Sequence, residues 1–142
     1  MERNPVGFQR RPQEEKVKKK KISSSSAKDK GRRLQQWVCE KISTLIGLPW
    51  GADQPIESRP MGQSGCDVRL DALAAALFPF DVECKHQETW AIPAWVKQAQ
   101  ANNKTSGRHW LLVVKRNRTD PLVVLDASVF FDLLAVAKAA EK

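Results

Sequence analysis

Asp67, Glu83 and Lys85 are the residues of this chain whose types and spacing could do chemistry. They stand in two short runs, Ser64-Gly65-Cys66-Asp67-Val68-Arg69-Leu70 and Phe80-Asp81-Val82-Glu83-Cys84-Lys85, which read as neighbouring strands. Mg²⁺ takes oxygen ligands and is commonly held by one or two carboxylates, which Asp67 and Glu83 could supply. An ion there could polarise a phosphodiester and activate a water, and a lysine beside it could orient that water or offset phosphate charge. Because side chains alternate along a strand, Glu83 and Lys85 share one face while Val82 and Cys84 turn to the core. His86 then points away from Lys85 and is given no catalytic role.

The elements that must position these groups follow from periodicity. Leu34, Trp37, Val38, Ile42, Leu45 and Ile46 recur at helical steps, predicting an amphipathic helix from about residue 31 to 46, ended by Gly47 and Pro49, with Glu40 and Lys41 off its main stripe. A Gly/Pro-rich stretch follows, with a short strand near 54–58. Strands over 66–70 and 80–85 flank a connection of helical tendency at 72–78. Pro93 suits the first turn of a helix to about Asn103 with Trp95, Val96 and Ala99 inward. Residues 110–115 and 122–125 read as two more strands, and 128–140 as a last helix with Ser128 as its N-cap. The order is α-βββ-α-ββ-α, an α/β fold with a small mixed sheet flanked by helices.

Charge is unevenly placed over the 142 residues. Residues 1–33 hold twelve Lys/Arg against four Asp/Glu, which is the whole formal net charge of +8, and residues 34–142 balance to zero. The division expected is a flexible basic arm over 1–33 and one folded domain over 34–142. Lys18, Lys19, Lys20, Lys21, Arg32 and Arg33 are candidate phosphate contacts, since each phosphate neutralised releases counterions; a merely solubilising tail would have the same composition. Ser64 and Gln63, on the glycine-bearing approach to Asp67, could also touch phosphate. Cys39, Cys66 and Cys84 form no CxxC pair and read as small buried hydrophobes rather than a zinc or disulfide framework. No apolar run approaches a membrane span and no signal-peptide core is present, so a soluble, cytoplasmic protein is expected. Trp90 and Trp95 are read as core or interface aromatics in preference to base-stacking platforms.

Gly65-Cys66-Asp67, then Glu83-Cys84-Lys85, then a helix carrying Gln98, resembles the PD-(D/E)xK nuclease superfamily. With Trp90, Pro93, Ala94, Trp95 and 98–102 the pattern is similar to small phage-type Holliday junction resolvases, over roughly residues 34–134. Cys66 stands where the motif's name has proline, which leaves the carboxylate in place. The resemblance implies a restriction-endonuclease-like core, Asp67 and Glu83 as metal ligands, and Lys85 as the catalytic lysine. It further implies Glu40 as a third acidic ligand from the first helix, and Gln98 as a polar residue contacting the site or the DNA. Mg²⁺, with Mn²⁺ as a substitute, is the implied cofactor. Four-way or other branched DNA is the implied substrate, and a homodimer of phage origin the implied assembly. Nicked, linear or single-stranded DNA would suit the same chemistry, and a basic DNA-packaging protein with structural carboxylates is the non-enzymatic alternative.

Overall fold

The computed structural model describes residues 24–60 and 65–141. Its elements are α1 (Ser24–Ile46), β1 (Ile56–Ser58), β2 (Val68–Leu70), α2 (Ala72–Leu77), β3 (Phe80–His86), α3 (Ile92–Asn103), β4 (His109–Lys115), β5 (Leu122–Val124) and α4 (Ala127–Ala140). This is the α/β order expected, with the connection between the second and third strands formed into a short helix. Asp71 starts that helix by accepting the Ala74 amide at 2.9 Å.

Three expectations are corrected. The first helix begins at Ser24, where a start near residue 31 was expected. Ala27, Lys28, Lys30, Arg32 and Arg33 in this added segment are good helix formers, and Asp29 and Arg32 form an exposed ion pair at i,i+3. Lys18–Lys21 lie outside the described residues. The strands form two small sheets, β1-β2 antiparallel and β3-β4-β5, where one mixed sheet was expected. Among the described residues one backbone bond, Asp67 N–H to the Val82 carbonyl at 2.9 Å, joins them. The last helix starts at Ala127 with Asp126 at the cap position, so Ser128 sits inside its first turn.

β3 runs parallel to β4, with Glu83 beside Leu112, and β4 runs antiparallel to β5. A parallel pair joined through a helix is covered on its faces, which explains why β3 is buried from Phe80 to Cys84 without alternation. On one face Leu34, Val38, Cys39 and Ile42 of α1 pack with Val82, Cys84 and Val113. On the other, Trp95 and Ala99 of α3 pack with Trp110, Leu112 and Val114, and Trp90 is packed against that cluster. Both tryptophans are thus core residues, and Cys39 and Cys84 are buried thiols as expected. Among the described residues no helix is long and apolar enough to cross a membrane.

Candidate active site

β1, β2 and β3 converge on Asp67. Its amide donates to Val82, its carbonyl accepts the Arg59 amide at 2.8 Å, and its Oδ2 accepts the Cys84 amide at 2.7 Å. The residue is clamped between two strands before its side chain does any chemistry. Gly65 supports this approach. Its φ is +100°, and a Cβ there would lie 3.4 Å from the Arg59 guanidinium, whose Nε donates to the Cys66 carbonyl at 2.6 Å.

Glu83 is 2% exposed and projects to the α3 side of β3, where Asn102 Nδ2 donates to its Oε1 at 2.6 Å. The Asp67 and Glu83 side chains are close enough to hydrogen-bond to each other. Burial, and then the neighbouring Asp67 charge, pushes the Glu83 carboxyl up to about 7. Burial also raises Asp67, against the Cys84 amide that favours its charged form. Two desolvated carboxylates side by side favour sharing a proton unless a cation neutralises them. Lys85, on the same strand face, supplies part of that charge and favours the ionised form of both.

The donor set fits a hard divalent cation: two adjacent carboxylates, a nearby ammonium that does not fully offset them, and an amide that orients one of the oxygens. Among the described residues no three His, Cys, Asp or Glu side chains gather around one point.

The other expected site residues divide. Glu40 is exposed on the side of α1 opposite its core stripe and does not reach the pair. The inward polar residue of α1 is Gln35, which accepts from the Ser58 hydroxyl at 2.7 Å. Gln98 is exposed and its side chain makes no hydrogen bond among the described residues, and its neighbour Asn102 one turn on makes the contact instead. Ser64 and Gln63 lie outside the described residues. Arg32 lines a groove of about 470 Å³ with Lys28, Gln36 and Arg59, whereas Arg33 opens on a different cleft beside Trp37, His86 and Lys115. His86 is engaged with Asn117 at 3.0 Å.

Asn102 and Arg59 were not singled out from the sequence. Asn102 was legible, since it falls on the α3 stripe of Trp95 and Ala99 at helical spacing. Arg59 carried no signal, because a lone arginine after a three-residue strand is ordinary.

Residues 26–140 match the family described as "Phage putative PDDEXK endonuclease". The chain belongs to that family. In this endonuclease Asp67 stands immediately before β2, and Glu83 and Lys85 lie on β3; the superfamily's general use of divalent metals agrees with the donor set. The family match begins inside α1, in the segment expected to belong to the arm. No curated protein and no solved structure matches the chain.

Proposed function

We propose that this endonuclease is a Mg²⁺-dependent, structure-selective enzyme that cuts branched DNA, four-way junctions foremost, during phage growth in the host cytoplasm. The observation that carries the catalytic part is the buried, adjacent pair Asp67/Glu83, both raised by burial, with Lys85 on the same strand face as Glu83. Mg²⁺, or Mn²⁺ in its place, would be held by Asp67 and Glu83 and would supply Lewis-acid chemistry at the scissile phosphate.

The chain's own residues do the rest. The Cys84 amide and Asn102 hold one oxygen each of Asp67 and Glu83, so the pair is oriented before substrate arrives. The Lys85 ammonium, which already favours the charged forms of Asp67 and Glu83, would offset charge developing on the phosphoryl oxygens and on the attacking water. Arg59, Lys28 and Arg32 line a groove that reaches the Asp67 loop through Arg59, and they would contact the phosphate backbone on the way in. Contacts of that kind position a duplex without reading bases, which supports recognition by shape. The residues of the basic arm, Lys18–Lys21, would add sequence-independent affinity.

The test is cleavage of a labelled four-way junction beside a matched linear duplex, with Mg²⁺ and with EDTA, for the wild-type chain and Asp67→Asn. Paired nicks confined to the junction, lost with EDTA and in the variant, are the expected result. Equal cutting of both substrates keeps the metal-dependent nuclease and removes the junction preference. Tight binding with no cutting of either substrate would overturn the catalytic assignment of the pair.

A further inference from the structure

We propose that α4, with the adjoining edge strand β5, is the surface through which two copies of this chain associate. The sequence of α4 is Ala-Ser-Val-Phe-Phe-Asp-Leu-Leu-Ala-Val-Ala-Lys-Ala-Ala, whose only polar residues are Ser128, Asp132 and Lys138. A helix apolar nearly all round is normally buried. Here only Val129 is buried, while Phe130, Phe131, Leu133, Leu134 and Val136 are open to solvent, Phe131 at 64% and Val136 at 69%.

β5 ends two residues before α4 and continues the same character. Leu122 and Val123 are each more than half exposed, and among the described residues β5 pairs only with β4, leaving its outer edge free. Three residues are too short to template a long ladder, so what β5 offers a partner is its exposed apolar side chains beside α4.

The size of the surface decides what covers it. Seven large side chains exposing on the order of 100 Å² each give roughly 700 Å² per copy, above the ~300–600 Å² of the largest patch on a typical monomer. Because these side chains run around α4 as well as along β5, two copies would bury the larger part of this surface rather than all of it, on the order of 1,000 Å² in total, enough for a specific contact. Duplex DNA is a poor occupant, because its phosphates match the Arg59 groove and have nothing to pair with on this face. The chain's first 23 residues are poor candidates too, since they are dominated by Lys, Arg, Glu and Gln and lack a helical apolar repeat. A second copy brings an equal apolar face, and an isologous pair uses the same patch twice and closes. The proposal is independent of the nuclease chemistry, although a pair would carry two Asp67/Glu83 sites in one particle.

The experiment is light scattering after size exclusion on the full chain without DNA, at tens of micromolar. Wild type should give twice the 16.0 kDa chain mass. Phe131→Glu and Val136→Glu should each weaken association at least tenfold and give the chain mass, with unchanged far-ultraviolet circular dichroism. Leu77→Glu, on the exposed side of α2, should leave the dimer intact. Hydrogen exchange of the wild-type chain supplies a check that needs no variant: protection of α4 should fall on dilution to the monomer. A wild-type monomer at tens of micromolar would overturn the proposal, as would a dimer that survives both substitutions or dissociates with no change of protection in α4.

Discussion

Asp81 and Glu83 are two carboxylates on one strand, two residues apart, on the same face and almost equally buried, and the protein treats them in opposite ways. Asp81 is surrounded by donors: Arg108 grips Oδ1 through Nε at 2.9 Å and Nη2 at 2.6 Å, Asn103 Nδ2 donates to Oδ2 at 3.0 Å, and the Ser106 hydroxyl bonds the same oxygen. Burial disfavours its charge, but these hydrogen bonds and the guanidinium outweigh that and hold the carboxyl below its ordinary value. Glu83 has one amide donor and a carboxylate neighbour, and its carboxyl is pushed up. Burial alone therefore does not mark a functional carboxylate; what marks it is burial without matching cations. Asp81 fastens the α3–β4 loop to β3, and Glu83 is left short of positive charge.

The sharpest way to break this contrast is to remove the charge from each residue in turn. Glu83→Gln should lower cleavage by about 10³-fold or more while leaving the metal-free melting temperature at pH 8 unchanged or higher, because it removes repulsion with Asp67. Equal loss of stability and activity would show that Glu83 is a structural group like its neighbour. Asp81→Asn should do the reverse, costing about 2–3 kcal/mol and, for a chain of this size, roughly 6–10 °C in melting temperature, as Arg108 loses its partner. A melting temperature within a degree of wild type would remove Asp81 from its anchoring role.

The two residues should also set opposite limbs of the pH–stability curve of the metal-free protein. Glu83 has a folded-state value raised from 4.5 to about 7, so its contribution is complete below 4.5 and is lost as pH climbs to about 7. Asp81 is lowered, so its contribution is present above its unfolded value of 3.8 and is lost as pH falls through its folded value. Thermal melts from pH 3 to 9 should then show Glu83→Gln flattening the neutral limb and Asp81→Asn the acid one. Added Mg²⁺ should raise the melting temperature more at pH 8 than at pH 5, since ligands must be deprotonated to bind. A metal-induced shift independent of pH would separate metal binding from this pair.

The smallest effect belongs to Asn102. Asn102→Ala removes the hydrogen bond that favours ionised Glu83, so the Glu83 carboxyl should move further up. Mg²⁺ affinity, read by calorimetry at pH 7, should drop about tenfold with little change in melting temperature. Unchanged affinity would mean that the Cys84 amide and Lys85 suffice to set up the pair.

Much of the candidate site could be read before the fold was seen. Alternation along 80–85 put Glu83 and Lys85 on one face and Val82 and Cys84 in the core, and helical spacing put Trp95 and Ala99 inward, as found. The same spacing already placed Glu40 off its stripe, and the structure keeps it exposed. Asp81 was equally readable by parity as a third residue on the Glu83 face. Its partners were not, because Arg108, Asn103 and Ser106 converge only once the loop after α3 folds back on β3.

The sequence by itself determined the element order, the strand that carries the acid and the lysine, and the apolar character of α4, since all of these are periodicities of a few residues set by local backbone geometry. Tertiary structure decided which groups meet. The packing of Trp95 and Ala99 against Trp110 and Leu112 rotates α3 so that Asn102 faces Glu83 and Gln98 faces solvent. The backbone bond from Asp67 to Val82 brings together two carboxylates sixteen residues apart, so that the Asp67 charge raises the affinity of Glu83 for a proton. Distances of that kind depend on how elements approach one another, and no spacing along the chain encodes them.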